Sequence, residues 1–299
     1  MRRHKSWVLP IAIVMGLLFH KYCALFGFMV PYIIFSILLL TFCSVDLTKM
    51  RYHPLYLWLI LFQTTVSAGG YFLMVKLNID PIIAEGVLIG VLCPVASSVS
   101  IVSCMLGADR ETVTTYTIVG NLYVALIAPA IFTAIGVHPE YTFLMSFGKI
   151  LGRIAPTLAL PFIIALVLQR WFSKAKDAIG RHNGAGFYLW SFALLFTLGQ
   201  TIDFIFLHGE GNWTSIIWLA ILALLFCAIQ FGLGKWIGHK YGDTISGGQL
   251  MGQKNSALGI WMANNFLHPL SAVFLAFYSI YQNLFNSIQI YFFEKRNKS

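Results

Sequence analysis

The chain has 299 residues, of which 58% are hydrophobic and only 10% are charged. A soluble globular domain carries about 25% charged residues, so the composition excludes an ordinary soluble protein and indicates an integral membrane protein surrounded by a lipid bilayer. The net charge of +9 does not call for nucleic acid as a partner, because membrane proteins collect lysine and arginine in their cytoplasmic loops.

Apolar segments of spanning length follow one another along the chain. The first comes after MRRHK and lacks a small-residue cleavage site, so we interpret it as a membrane span and not as a signal peptide. Runs of about 20 apolar residues predict nine more spans, at about 28–46, 55–76, 81–107, 112–137, 144–170, 185–207, 213–234, 244–266 and 269–293. The prediction is one all-α polytopic membrane domain, residues 1–299, with about ten transmembrane helices.

Two of these runs are interrupted by polar and helix-breaking residues. The first break lies in GVLCPVASSVSIVS, residues 90–103, and the second in GGQLMGQKNSALG, residues 247–259. If the chain divides near residue 140, the breaks fall in the fourth of five and the ninth of ten spans. This pattern predicts two inverted repeats, 1–140 and 141–299, and places a transporter-type binding site at the breaks.

The charges predict an orientation. With the N-terminus inside, the cytoplasmic segments hold most of the basic residues, including Arg2, Lys49, Arg110, Lys174 and Lys240. The outer connections hold mainly Asp80, Glu140, Asp203 and Glu210. This asymmetry predicts that both termini are cytoplasmic, and we expect the plasma (inner) membrane of a bacterium.

Pro94 cannot continue a regular helix, and a serine-rich half-helix follows it. The candidate ligands there are Ser97, Ser98 and Ser100. Their hydroxyls could bind a solute, and a half-helix that starts at the break would favour an anion. The alternative is that these small residues only permit close helix packing.

Polar residues also lie within other spans. Thr114, Thr117 and Asn121 share one helical face and could offer oxygen atoms to a small cation. Gln63 lies deep in the third span and Asn283 in the last. Hydrogen bonding between helices is the alternative role for all of them.

Lys254 is the most unusual residue, because an ammonium group within the bilayer is costly unless it is paired or hydrated. We expect its partner to be a carbonyl of the broken backbone, an amide such as Gln63, or the anionic group of a solute. The alternative is a shallower position from which the side chain reaches the interface. The neighbouring Gln253, Asn255 and Ser256 complete this polar group.

No enzyme is indicated. The chain lacks GxSxG, HExxH and phosphate-binding glycine motifs, and its five cysteines show no spacing typical of a disulfide framework or a zinc site. No cofactor is therefore expected.

Several of these motifs together resemble the bile acid:sodium symporter family across nearly the whole chain. They are LLFQ at Gln63, the CP break with its serines, AP-A-IF at the end of the fifth span, NSxLG from Asn255, and the pattern Tyr278–Asn283. The resemblance implies ten helices in two inverted five-helix repeats, with the fourth and ninth helices broken and crossing at mid-membrane. It also implies a core domain, a panel domain, and a substrate site between them.

The chain departs from the family's sodium-site pattern. Leu250 stands where the resemblance implies an acidic residue, and Lys254 stands where it implies a sodium-binding glutamine. Gln63 and Thr117 match sodium-ligand positions. A site that loses a carboxylate and gains a fixed ammonium should bind sodium poorly, so the hypothesis is that Lys254 stands in for a sodium ion.

The sequence thus predicts a secondary transporter of a small organic anion, a carboxylate or sulfonate, that works by alternating access with sodium coupling doubtful. The alternative is a membrane receptor or sensor that binds a solute on the same fold without coupled transport.

Overall fold

The computed structural model describes residues 11, 14–50, 52–96, 99–137, 140–208 and 210–296. In these ranges the chain is helical apart from its turns and two short extended segments. Five of the described helices are long and apolar enough to cross a bilayer: Leu55–Lys76, Glu111–Ala134, Phe143–Trp171, Tyr188–Leu207 and Trp213–Lys240. This is the architecture expected of a polytopic membrane protein.

The helices follow the predicted spans closely. In chain order they are α1 (His20–Leu25), α2 (Val30–Cys43), α3 (Pro54–Thr64), α4 (Gly70–Lys76), α5 (Pro81–Leu92), α6 (Val99–Met105), α7 (Arg110–Ala134), α8 (Phe143–Trp171), α9 (Ser173–Arg181), α10 (Gly186–His208), α11 (Trp213–Lys240), α12 (Thr244–Gly252), α13 (Ser256–Phe266) and α14 (Ala272–Arg296). A π-helical turn, Thr65–Gly69, joins α3 to α4. The predicted first span lies partly outside the described residues.

Side-chain caps fix where several helices begin. Asp80 accepts a hydrogen bond from Ile82 N at the start of α5, Asp109 from Thr112 N at α7, and Asp243 from Ser246 N at α12. Such caps satisfy backbone donors that have no partner within the helix. They mark the ends of the spans in the sequence.

Both predicted breaks are present as short extended segments between two helices. One separates α5 from α6 and the other separates α12 from α13. Val95 and Lys254 pair across them in an isolated antiparallel bridge. The two broken helices therefore meet at their breaks, and because the segments are antiparallel, α6 and α13 leave this crossing in opposite directions.

Glycine allows α11 and α12 to touch through their backbones. A Cβ atom on Gly247 would lie 2.3 Å from Gly234 O and 2.7 Å from the Cα atom of Gly238. Small residues spaced in this way let membrane helices approach closely. This contact holds α12, and so the second break, against the long helix α11.

One helix was not predicted. The segment after α8 was interpreted only as a basic cytoplasmic loop, but Ser173–Arg181 forms α9. Gly180 of α9 packs on the backbone of Cys43, since a Cβ atom there would lie 2.4 Å from Cys43 O. This tertiary contact holds a helix too short to be stable alone.

Candidate functional site

The crossing is held first by main-chain hydrogen bonds. Ala96 N donates to Gln253 O at 3.2 Å, and Asn255 N donates to Pro94 O at 2.8 Å. The Cys93 thiol donates to Asn255 O at 3.0 Å. Each break thus supplies partners for polar groups that the other break frees from helical pairing, as buried backbone requires.

Lys254 lies at the C-terminal end of α5. Its Nζ atom donates to Val91 O at 2.9 Å, and the residue is only 4% exposed. No carboxylate among the described residues forms an ion pair with it. The last carbonyls of a helix carry partial negative charge, so the ammonium occupies a place where a small cation would also be attracted. This partner is one of those expected from the sequence, a carbonyl of the broken backbone.

Gln63 satisfies the neighbouring carbonyls of the same helix end. Its Nε2 atom donates to Leu92 O, and to Cys93 O at 3.1 Å. The side chain is 5% exposed. Gln63 and Lys254 therefore donate to three successive carbonyls at the end of α5.

On the other side of the crossing, Gln282 is a residue of α14 that bonds to the second break. Gln282 accepts from Lys254 N at 2.7 Å and donates to Lys254 O at 3.1 Å. Asn283 is half-buried and donates to Ser279 O of its own helix at 2.7 Å. Tyr278, one turn before Gln282, donates to Gly252 O at 2.8 Å. Tyr278 and Gln282, spaced i, i+4, therefore share the face of α14 that contacts the second break.

Two of the three polar residues of α7 bond to the backbone of their own helix. Thr117 donates to Val113 O at 2.8 Å and Asn121 to Thr117 O at 2.6 Å, both within α7. The Oδ1 atom of Asn121 is buried and has no hydrogen-bond partner among the described residues. Thr114 lies nearer the start of α7, where it lines a cavity.

Of the remaining predicted ligands, some lie at the second break and the serines belong to the first. Asn255 caps α13 by accepting from Leu258 N at 3.3 Å, and Ser256 is fully buried beside Gln282. Gln253 donates to the side chain of Gln249. Ser100 is half-buried, and Ser97 and Ser98 lie outside the described residues. The breaks therefore bring together Gln63, Gln253, Lys254, Asn255 and Ser256, with Gln282 added.

Two cavities lie at opposite ends of the bundle. The Glu111 cavity, of about 360 Å³, is lined by Ser44, Val45, Asp46, Met50, Glu111, Thr114, Thr115 and Ile118. The Asn264 cavity, of about 230 Å³, is lined by Ala24, Gln200, Asp203, Phe204, Leu207, Asn264 and Pro269. The Glu111 cavity lies at the start of α7, shortly after α6 ends, and the Asn264 cavity lies near the end of α13. Because α6 and α13 leave the crossing in opposite directions, the two cavities lie at opposite ends.

The Glu111 cavity carries the carboxylates Asp46 and Glu111, so its lining is acidic. Lys254 does not line it, because the lysine side chain is held on Val91 O. Asp46 is itself engaged, since it accepts from Thr48 N and from the Gln169 amide.

Comparison with known proteins gives the family. The model of the SBF-like CPA transporter family matches residues 9–292. The chain belongs to this transporter family. Its membership confirms the resemblance to bile acid:sodium symporters and the assignment to a transporter and not an enzyme. The chain is also 23% identical to the uncharacterized sodium-dependent transporter YocS of Bacillus subtilis (strain 168), over 89% of this chain and 90% of that protein.

Proposed function

We propose that this member of the family is a secondary transporter of a small organic anion, working by alternating access without a required sodium ion. The supporting observation is the position of Lys254 at the end of α5, a buried ammonium that forms no ion pair with a carboxylate among the described residues. The proposal includes ten spans in two inverted repeats, 1–140 and 141–299, in the plasma membrane of a bacterium, with both termini cytoplasmic.

The two cavities support alternating access. The Glu111 and Asn264 cavities lie at opposite ends of the bundle. A transporter needs a site that can be reached from each side in turn, and binding sites at crossing broken helices suit this mechanism. We propose that the solute passes from one cavity to the other beside the crossing.

The charge around the crossing supports an anion. The helix α13 begins there, so its positive end is directed at the break, and Lys254 adds a full charge. The carboxylates Asp46 and Glu111, which line one cavity, disfavour a solute of high negative charge. A singly charged carboxylate or sulfonate with an apolar body therefore fits better than a polyanion.

Sodium coupling is where this chain is proposed to differ from its relative. The Bacillus subtilis protein is named as sodium-dependent. Here the carbonyl Val91 O, a suitable oxygen ligand for a hard cation, already accepts from Lys254. Leu250, buried on α12, supplies no charge where the family resemblance implies an acid. We propose that the fixed ammonium does the electrostatic work of a bound sodium ion.

Counterflow tests the transport activity. Purified protein is first screened with single carboxylates and sulfonates for ligands that raise its thermal unfolding temperature. Proteoliposomes preloaded with the best ligand should then accumulate the labelled ligand from a dilute outside solution, while protein-free liposomes should not. Saturable binding without counterflow would contradict transport and favour the receptor.

A further inference from the structure

A third cavity lies at the same end of the bundle as the Glu111 cavity. This Lys235 cavity, of about 360 Å³, is lined by Leu106, Lys235, Thr244, Ile245, Gln289, Phe292 and Phe293. Leu106 lies just before α7, and residues near the start of α7 line the Glu111 cavity. The two cavities therefore open at the same end of the bundle. They share no lining residue, and the Lys235 cavity is bounded by α11, α12 and α14.

A chain of glutamines leads from this cavity to the crossing. Gln289 lines the cavity, and its Oε1 atom accepts from Gln249 Nε2 at 3.4 Å. Gln249 in turn accepts from the amide of Gln253. Gln253 belongs to the second break and is followed directly by Lys254. The polar side chains are therefore continuous from the open cavity to the second break.

The chain runs through a polar seam between α12 and α14. On α12 the seam consists of Ser246, Gln249 and Gln253, which share one helical face. On α14 it consists of Ser279, Gln282, Asn286 and Gln289, at the corresponding spacing. The bonds from Gln249 to Gln289 and from Gln282 to Lys254 show that these faces oppose each other.

Three oxygen atoms in the seam have no partner among the described residues. They are Ser246 Oγ, Ser279 Oγ and Asn286 Oδ1, and their residues are 0%, 1% and 6% exposed. A buried polar group left unpaired costs about 1–3 kcal/mol. Buried water satisfies such groups when several polar partners surround a site, and this seam offers amides and hydroxyls along its whole length.

We propose that water fills the seam and connects the Lys235 cavity to the crossing. The path is distinct from the two cavities proposed for the solute, and it does not depend on the transport proposal. Its consequence is that water from the Lys235 cavity reaches the second break at Gln253.

Cysteine accessibility tests the path. Ser246→Cys and Asn286→Cys are made with Cys104, the exposed native cysteine, replaced by serine. Proteoliposomes are treated with a small charged methanethiosulfonate, and each labelled peptide is quantified by mass spectrometry. Both thiols should react at least about ten-fold faster than two controls on α14, because the reactive thiolate forms only where water is present.

The controls separate a wet seam from a dry or lipid-facing position. Leu275→Cys replaces a fully buried apolar residue, and Leu284→Cys replaces one that is 55% exposed on the outer face of α14. Rates for the seam thiols equal to that of Leu275→Cys would overturn the proposal. Ser246→Cys changes one atom, so it keeps the test valid if Asn286→Cys does not fold.

A second variant tests the direction of entry. Gln289→Leu replaces the amide that lines the Lys235 cavity with an apolar side chain of similar size. It should slow labelling of Ser246→Cys at least about three-fold, since the reagent must pass this position to reach a reactive thiolate. Unchanged labelling would show that water enters elsewhere and would contradict the path.

Discussion

Two buried glutamines show how a polar side chain in this protein either gains or lacks a partner. Gln63 is 5% exposed and donates to the carbonyls of Leu92 and Cys93. Gln230 is 0% exposed, and neither atom of its amide has a partner among the described residues. Because the desolvation of an amide is costly without hydrogen bonds, only the first is expected to stabilise the fold.

Substitution by leucine should separate the two. Gln63→Leu leaves two carbonyls unpaired and should lower the free energy of unfolding by about 1–3 kcal/mol. Gln230→Leu removes two unpaired atoms and should leave stability unchanged or raise it. Thermal unfolding in one detergent measures both, and an equal loss in the two variants would show that Gln230 also has a partner.

The sequence predicted which residue types lie at the crossing, but it predicted only some of their hydrogen-bond partners. Lys254 and Gln63 stand out in the sequence because they interrupt apolar spans. Which of Gln282 and Asn283 faces the break could not be read from composition, since both are amides in one helix. The rotation of α14 decides it, and that rotation depends on packing against α11 and α13.

At the scale of elements, glycine determines how the second broken helix is held. Gly234 and Gly238 of α11 lie against Gly247 of α12 at backbone contact. The close approach leaves no room for a Cβ atom, and it fixes the depth of the break relative to α11. Any side chain at Gly247 must therefore separate the two helices.

Gly247→Ala should be strongly destabilising because its Cβ atom would lie 2.3 Å from Gly234 O. Gly232→Ala on α11 is the matched control, since nothing lies within 4 Å of its Cβ position. The control should gain up to about 1 kcal/mol from helix propensity. Thermal unfolding compares the variants, and a Gly247→Ala protein as stable as the control would contradict the packing.

Most helices could be predicted from hydropathy because each span must be apolar over its length. The breaks could also be located, since Pro94 and the cluster of glycines and polar residues before Ser256 interrupt the pattern. The short helix α9 could not, because its stability comes from the contact of Gly180 with Cys43. The starts of α5 and α12 could be placed accurately because the capping residues Asp80 and Asp243 mark them. The helix ends inside the breaks have no such signal.

For the whole molecule, the antiparallel crossing relates the two halves of the chain. Helices α6 and α13 leave it in opposite directions, and the Glu111 and Asn264 cavities lie at the two ends. The inverted repeats, the ten spans and the division near residue 140 remain predictions from the sequence. They agree with a crossing in which one broken segment from each half contributes.

The orientation can be tested with fusions at the C-terminus. Lysine and arginine favour the cytoplasmic side, and Lys295, Arg296 and Lys298 follow the last span. A fused green fluorescent protein should be fluorescent in bacterial cells, and a fused alkaline phosphatase should be inactive. Active phosphatase with a dark fluorescent fusion would place the C-terminus outside.

The Lys254 ammonium is proposed to replace a sodium ion at the end of α5. The most direct measurement is uptake of a transported solute, identified by counterflow, into proteoliposomes with an inward sodium gradient and with choline in its place. We predict equal initial rates in the two conditions for the natural protein. A steep dependence of uptake on the sodium gradient would contradict the claim.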